Sequence, residues 1–175
     1  MLKSRKIKAL YIIIGVISVG IIVGITIDYS IRNSENSSSL PNLSYNTIDG
    51  STVELSTHQG KIVLLYFFSL NCGVCQVTSS QLTIIEDDYS TSQLYILTIT
   101  IDPADTDNVL NNWRNSLNAT WDVAKDDISH SYTASWDVAF TPTLIVIDQT
   151  GKFISKIISA QDFNDRVRFE IDSLL

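Results

Sequence analysis

The chain has 175 residues, 45% hydrophobic and 18% charged, with a formal net charge of −7. Its bases are unevenly placed. Lys3, Arg5, Lys6 and Lys8 precede every acid, so eight of the 12 Lys and Arg face all 19 Asp and Glu from Asp28 onward, a net −11 there. So acidic a portion, with no basic stripe, excludes nucleic acid as a partner held through counterion release, and its length suits one domain.

Residues 1–8 read as a basic cytoplasmic tail. Ala9 to Ile27 are 19 residues without a charge, rich in Ile, Val and Gly, long enough to span a bilayer core. The basic flank precedes this span and polar or acidic residues follow it, so the positive-inside rule predicts a single-pass membrane protein. Its N-terminus is cytoplasmic, its remainder extracytoplasmic, and its helix meets membrane lipid. The alternative is a cleaved signal peptide, but Gly24 to Asp28 offers no small-x-small site. Residues 28–43 read as a flexible polar linker, because the Ser/Asn-rich stretch at 33–44 has too little apolar surface to fold alone. The domain then occupies 44–175.

Within it, Ser44 to Leu55 reads as a β-hairpin turning at Asp49-Gly50. Ile62 to Ser69 is a continuous apolar run, expected to be a strand covered on both faces. It leads into Cys72-Gly73-Val74-Cys75, the only cysteines in the chain. A helix should begin there and run to about Tyr89, burying Val77, Leu82, Ile85 and Tyr89. Glu86, Asp87 and Asp88 near its end are placed against the helix dipole. Leu94 to Ile101 is a second buried strand. A helix is predicted from Asp102 to about Leu117, with Val109, Leu110 and Trp113 inward and Asp102, Asp105 and Asp107 as an N-cap and solvated first turn. Trp121 to Val123 is a short extended piece, and Ile128 to Ser135 a short helix. A strand at Leu144 to Asp148 turns through Gln149-Thr150-Gly151 into Lys152 to Ser159. Asp162 to Leu175 closes the chain as an amphipathic helix with Phe163, Val167, Ile171 and Leu174 inward. The order is a β-hairpin, then β-α-β-α, then β-β-α, which demands a parallel first half with right-handed crossovers and an antiparallel second half.

The two cysteines close too small a loop to staple a fold, so their spacing reads as a reactive pair. No metal is expected: a structural zinc site needs four ligands, there is no second C-x-x-C, and His58 and His130 stand alone.

Several linked segments resemble the thioredoxin superfamily, most closely its membrane-anchored TlpA/ResA-like branch. They are Asp49-Gly50 with Val53-Glu54-Leu55, Gly60 to Leu64 before the C-x-x-C, Trp136-Asp137-Val138 with Thr141-Pro142-Thr143, and Ile147 to Lys152. The resemblance covers about residues 40–175. It implies an α/β thioredoxin-like fold, a central mixed sheet flanked by helices, with an added N-terminal β-hairpin and an N-terminal transmembrane helix. It also implies a thiol–disulfide oxidoreductase with a redox-active Cys72–Cys75 disulfide and no other cofactor. Its partners would be protein disulfides and thiols and a membrane electron donor or acceptor. Pro142 would be the family's cis-proline, placing Thr141 beside the sulfurs, and Gly73 and Val74 would shape the site. Four positions depart from the family pattern. Asn71 stands where an aromatic precedes the first cysteine, and Val74 where proline is frequent. Tyr66 and Thr78 occupy two positions where the family places an acid, so the usual proton acceptor is missing.

Only a thiolate attacks a disulfide. Cys72 at the first turn of its helix would meet free backbone N–H groups and the positive dipole end, which lower its pKa. Cys75, one turn on, would resolve the mixed disulfide. Two other readings exist on the same fold. A thiol peroxidase would use Ser69-x-x-Cys72, but Leu65 stands where that family has proline. A copper-delivery module would need Cys72, Cys75 and His130, although related chaperones space their cysteines as C-x3-C.

Overall fold

The run expected to be covered on both faces forms a strand over Ile62–Phe68 (β3), buried at every residue. The computed structural model describes residues 42–127, 129–158 and 161–175. The predicted tail, the span at 9–27 and the linker up to residue 41 lie outside these residues. Among the described residues no helix is long and apolar enough to cross a membrane.

The other elements, in chain order, are β1 (Ser44–Asn46), β2 (Thr52–Glu54), a 3-10 turn at Leu55–His58, α1 (Gly73–Asp88), β4 (Leu94–Thr100), α2 (Asp107–Ser116), β5 (Asp122–Lys125), α3 (Ser131–Ser135), β6 (Thr143–Ile147), β7 (Phe153–Ile157) and α4 (Phe163–Leu174). Five strands form one sheet in the order β5-β4-β3-β6-β7. β3 and β4 pair in parallel, as do β4 and β5. β6 is antiparallel to β3 and β7 to β6. The sheet is therefore mixed, as the order of elements required. β1 and β2 form a separate antiparallel ribbon whose turn passes Gly50 at φ 81°, a conformation glycine adopts without strain.

Alternation along β3 divides the core. Ile62, Leu64, Tyr66 and Phe68 face α1, α2 and α4, meeting Leu82, Ile85, Leu110, Trp113, Phe163, Val167 and Ile171. Val63, Leu65 and Phe67 face the other way, against Tyr45 of β1 and Leu55. With each face of β3 packed, period-2 alternation in polarity vanishes and the strand reads as uninterrupted apolar sequence.

Several boundaries and faces differ from expectation. In α1 the buried residues are Cys75, Thr78, Ser79, Leu82 and Ile85, while Val77 is exposed. The buried face starts at Cys75 and is continued by two small hydroxylic side chains, Thr78 and Ser79, before Leu82 and Ile85. In α2 the helix starts at Asp107 under a Thr106 cap, whose hydroxyl accepts from Val109 N–H. Asp102 to Asp105 form a loop instead, and Val109 is exposed while Leu110 and Trp113 are buried. The acids at the end of α1 have tertiary partners. Glu86 accepts from the Thr120 N–H at 3.0 Å and its hydroxyl at 2.7 Å, and Asp88 pairs with Arg168 of α4. These contacts offset a dipole effect of about 0.3–1 kcal/mol at an exposed helix end. The short helix is confined to Ser131–Ser135, with His130 as its cap at φ 54°.

Removing the middle of β3 tests this account. Leu64→Ala should cost about 3 kcal/mol, from lost transfer energy and the cavity left behind. Urea denaturation would measure it, and a loss below about 1 kcal/mol would mean that the α1–β3–α4 layer can collapse around the gap.

Candidate functional site

β3 ends at Phe68, and Ser69 to Asn71 carry the chain over the edge of the sheet into α1. Cys72 is the N-cap of that helix, at φ −91° and ψ 105°. Its Sγ accepts from the Cys75 N–H at 3.1 Å, so the sulfur occupies the place of the oxygen in an ordinary cap. Cys72 and Cys75 form a disulfide, with Cα atoms 5.1 Å apart. Cys72 is half-buried and Cys75 buried. The unpaired N–H groups of the first turn and the helix dipole favour negative charge on Cys72 once the bond opens.

Gly73 and Val74, between the cysteines, both face solvent. A Cβ placed on Gly73 would touch nothing within 4 Å. Facing them across the sheet edge is the segment before β6. The Thr141–Pro142 peptide is cis, as the resemblance implied. The Thr141 carbonyl oxygen lies 4.0 Å from Cys72 Sγ. That contact is one of proximity, because a disulfide sulfur has no proton to donate. Pro142 is buried, Thr141 half-buried, and Phe140 ahead of them exposed. Thr143 Oγ1 donates to the Phe140 carbonyl at 2.6 Å and closes this turn. All six residues singled out for the site, Cys72, Gly73, Val74, Cys75, Thr141 and Pro142, therefore lie together beyond the C-terminal end of β3.

Two residues read otherwise from the sequence hold the loop before Cys72. Asp105 is not solvated: it is 5% exposed, accepts from Thr100 Oγ1 at 2.5 Å and takes the Leu70 N–H at 3.2 Å. Asp102 accepts from Asn71 Nδ2 at 3.0 Å and from Ser69 Oγ at 3.3 Å. The Ala104 backbone N–H, and after it the Asn71 amide, hold the Asp102 carboxyl below its ordinary pKa. Parallel pairing of β3 with β4 was the signal for both contacts. Phe68 registers with Thr100, so the residues after each strand must meet.

Behind Cys75, the two positions without an acid touch each other. Tyr66 OH is 2.5 Å from Thr78 Oγ1 and donates to the Cys75 carbonyl at 3.1 Å. Burial pushes the Tyr66 phenol above its ordinary value. Ser69, the residue of the S-x-x-C pattern, is engaged by Asp102 and by the Asn71 N–H. His130 lies beside Asp126 at 3.5 Å, with a mostly exposed side chain. Among the described residues no group of three or more His, Cys, Asp and Glu is arranged to hold a metal ion.

Residues 37–156 match the sequence profile of the AhpC/TSA family. The thiol-disulfide oxidoreductases ResA of Bacillus thuringiensis and Bacillus anthracis are each 27% identical over 121 residues, 69% of this chain and 68% of theirs. A thiol-disulfide isomerase from Corynebacterium glutamicum has a similar structure, with TM-score 0.67, 18% identity, and 81% and 97% of the two chains covered. The exposed lipoprotein thioredoxin of Streptococcus pneumoniae aligns at TM-score 0.63 and 22% identity, over 75% of this chain and 98% of that one. At these identities the structural likenesses establish the fold, which is thioredoxin-like.

Burial separates the two sulfurs. After reduction, iodoacetamide should label Cys72 at least about ten-fold faster than Cys75, since access and thiolate character set the rate. Peptide mass spectrometry would read the ratio, and equal labelling would show that the first turn of α1 opens on reduction.

Proposed function

Since the chain belongs to the AhpC/TSA family, we propose that it is a membrane-tethered, extracytoplasmic thiol–disulfide oxidoreductase that reduces or exchanges protein disulfides through a mixed disulfide on Cys72. The enzyme class, thiol–disulfide oxidoreductase of thioredoxin fold, rests on the ResA relatives together with the C-x-x-C pair. The observation that carries the mechanism is the position of the Cys72–Cys75 bond: a half-buried sulfur capping a helix, beside the cis Thr141–Pro142 segment.

In the reducing direction, the Cys72 thiolate attacks one sulfur of the substrate disulfide. The substrate S–S bond breaks, and the departing sulfur takes the electron pair and then a proton. Cys75, after losing its proton, attacks Cys72 Sγ. The substrate's second sulfur leaves with the bond pair, and the protein is left oxidised. Thr141 sits where an extended substrate segment would pass, and its backbone groups suit pairing in the manner of an added strand. Gly73 and Val74, open to solvent, set the approach to the sulfurs. A membrane electron donor or acceptor returns the pair to its working state.

The tether and its orientation rest on the sequence: a basic tail at 1–8, an uncharged span at 9–27 and an acidic remainder. Lipid is the partner of that span.

Cys72→Ser should abolish disulfide reduction, and Cys75→Ser should trap a mixed disulfide visible on a non-reducing gel. Full activity in both variants would overturn the redox assignment. For topology, protease added to cells stripped of their outer layers but with the membrane still sealed should digest residues 44–175 and leave the N-terminal tail protected. Protection of the domain instead would reverse the orientation.

A further inference from the structure

Three buried hydroxyls converge on one carbonyl directly behind the disulfide. The Cys75 carbonyl accepts from Ser79 Oγ at 2.7 Å and from Tyr66 OH at 3.1 Å, and Thr78 Oγ1, whose one hydrogen then serves Tyr66, lies 3.1 Å from it. Thr78 also reaches the Val74 carbonyl at 3.2 Å and Tyr66 at 2.5 Å. Tyr66 and Thr78 are wholly buried and Ser79 nearly so. The surroundings are apolar: the Tyr66 ring stacks on Phe68 at 5.7 Å and meets Phe163 edge-on at 6.2 Å. Helix formation does not require this cluster, because the Cys75 carbonyl already accepts the backbone N–H one turn on. Phenylalanine at 66 and valine at 78 would fill the same space with two fewer hydroxyls to satisfy. What the cluster adds is direction. Tyr66, from the centre of the sheet, fixes the backbone of the one residue whose sulfur must strike Cys72. Burial keeps the phenol protonated, so it holds an atom in place and does not serve as a base.

We propose that Tyr66, acting through Thr78 and the Cys75 carbonyl, is a positioning residue that keeps Cys75 Sγ aimed at Cys72 while the disulfide is open. This rests on the oxidoreductase reading above. The step concerned is the second one, in which the Cys75 thiolate forms a bond to Cys72 Sγ, the Cys72–substrate bond breaks, and the substrate sulfur leaves with the electron pair and takes a proton from solvent. The hydroxyls gain and lose no net proton. The first attack uses Cys72, which is half-buried and touches none of the three hydroxyls, so it depends less on this cluster. Misplacing a reacting atom slightly can slow a step by orders of magnitude.

A symmetric aromatic disulfide whose thiolate absorbs visible light separates the two steps. With the reduced full-length chain, the first thiolate released reports attack by Cys72 and the second reports resolution by Cys75. In Tyr66→Phe and Thr78→Val the second release should be at least about ten-fold slower. The first, read also in a Cys75→Ser background, should change less than about two-fold. Thr78→Ser, which keeps the hydroxyl, should restore the second rate. Melting temperatures of the four variants check folding. Parental second-step rates in both Tyr66→Phe and Thr78→Val would overturn the positioning role alone. So would equal slowing of both steps alongside a lowered melting temperature, or a Thr78→Ser variant as slow as Thr78→Val. No first release from the parental protein would overturn the oxidoreductase reading, and this inference with it.

Discussion

The site depends on how β3 is paired. Its neighbour β4 runs parallel and its neighbour β6 antiparallel. The residues leaving β3, those leaving β4 and those entering β6 are therefore all delivered to the same end of the sheet. Cys72 arrives by the first route, Asp102 and Asp105 by the second, Thr141 and Pro142 by the third. Register makes this specific, since Phe68 lies opposite Thr100 and Phe67 opposite Thr143. A one-residue slip of β3 would exchange the side chains of the two layers and turn Tyr66 away from Thr78, so the packing of both faces holds the register. Through that register it also holds the distance between the disulfide and the cis segment.

The second layer carries a different constraint. Tyr45 of β1 accepts from Trp136 Nε1 at 2.8 Å, and its ring lies 4.3 Å from that of Tyr132. Burial pushes the Tyr45 phenol up to about 12, so it stays a neutral hydrogen-bonding group. The ribbon thus braces the stretch leading to Thr141 from below, while Lys156 of β7 donates to the Asp137 carbonyl at 2.7 Å from the side. The stretch that leads into the cis segment is thus held at Trp136 and at Asp137, and neither support was visible from local pattern.

Much of the site could be read in advance because the deciding signals are local. An apolar run ending in C-x-x-C specifies a buried strand followed by a helix start, and T-P-T before a strand marks the facing loop. What escaped reading was tertiary. Asp105 looks like any loop acid until the parallel register of β3 and β4 places Leu70 N–H above it. Val77 and Val109 fit an apolar helical period, yet both are exposed, because the neighbouring Thr78, Ser79 and Leu110 take the inward positions. Glu86 and Asp88 looked misplaced on a helix end until Thr120 and Arg168 appeared opposite them. In each case periodicity gave the element and a partner distant in sequence decided the side chain's role.

The two residues between the cysteines have a further consequence for how such a protein can change over time. Gly73 and Val74 project from the helix into solvent, and added bulk at Gly73 meets no neighbour. The residues just beyond, Cys75, Thr78 and Ser79, are locked into the core. The reactive pair itself spans both settings, with Cys72 half-buried and Cys75 beneath it in the core. A larger side chain at Gly73 therefore enters open space, whereas one at Thr78 or Ser79 would have to displace packed neighbours, so the tolerance of this helix to change rises sharply towards its tip.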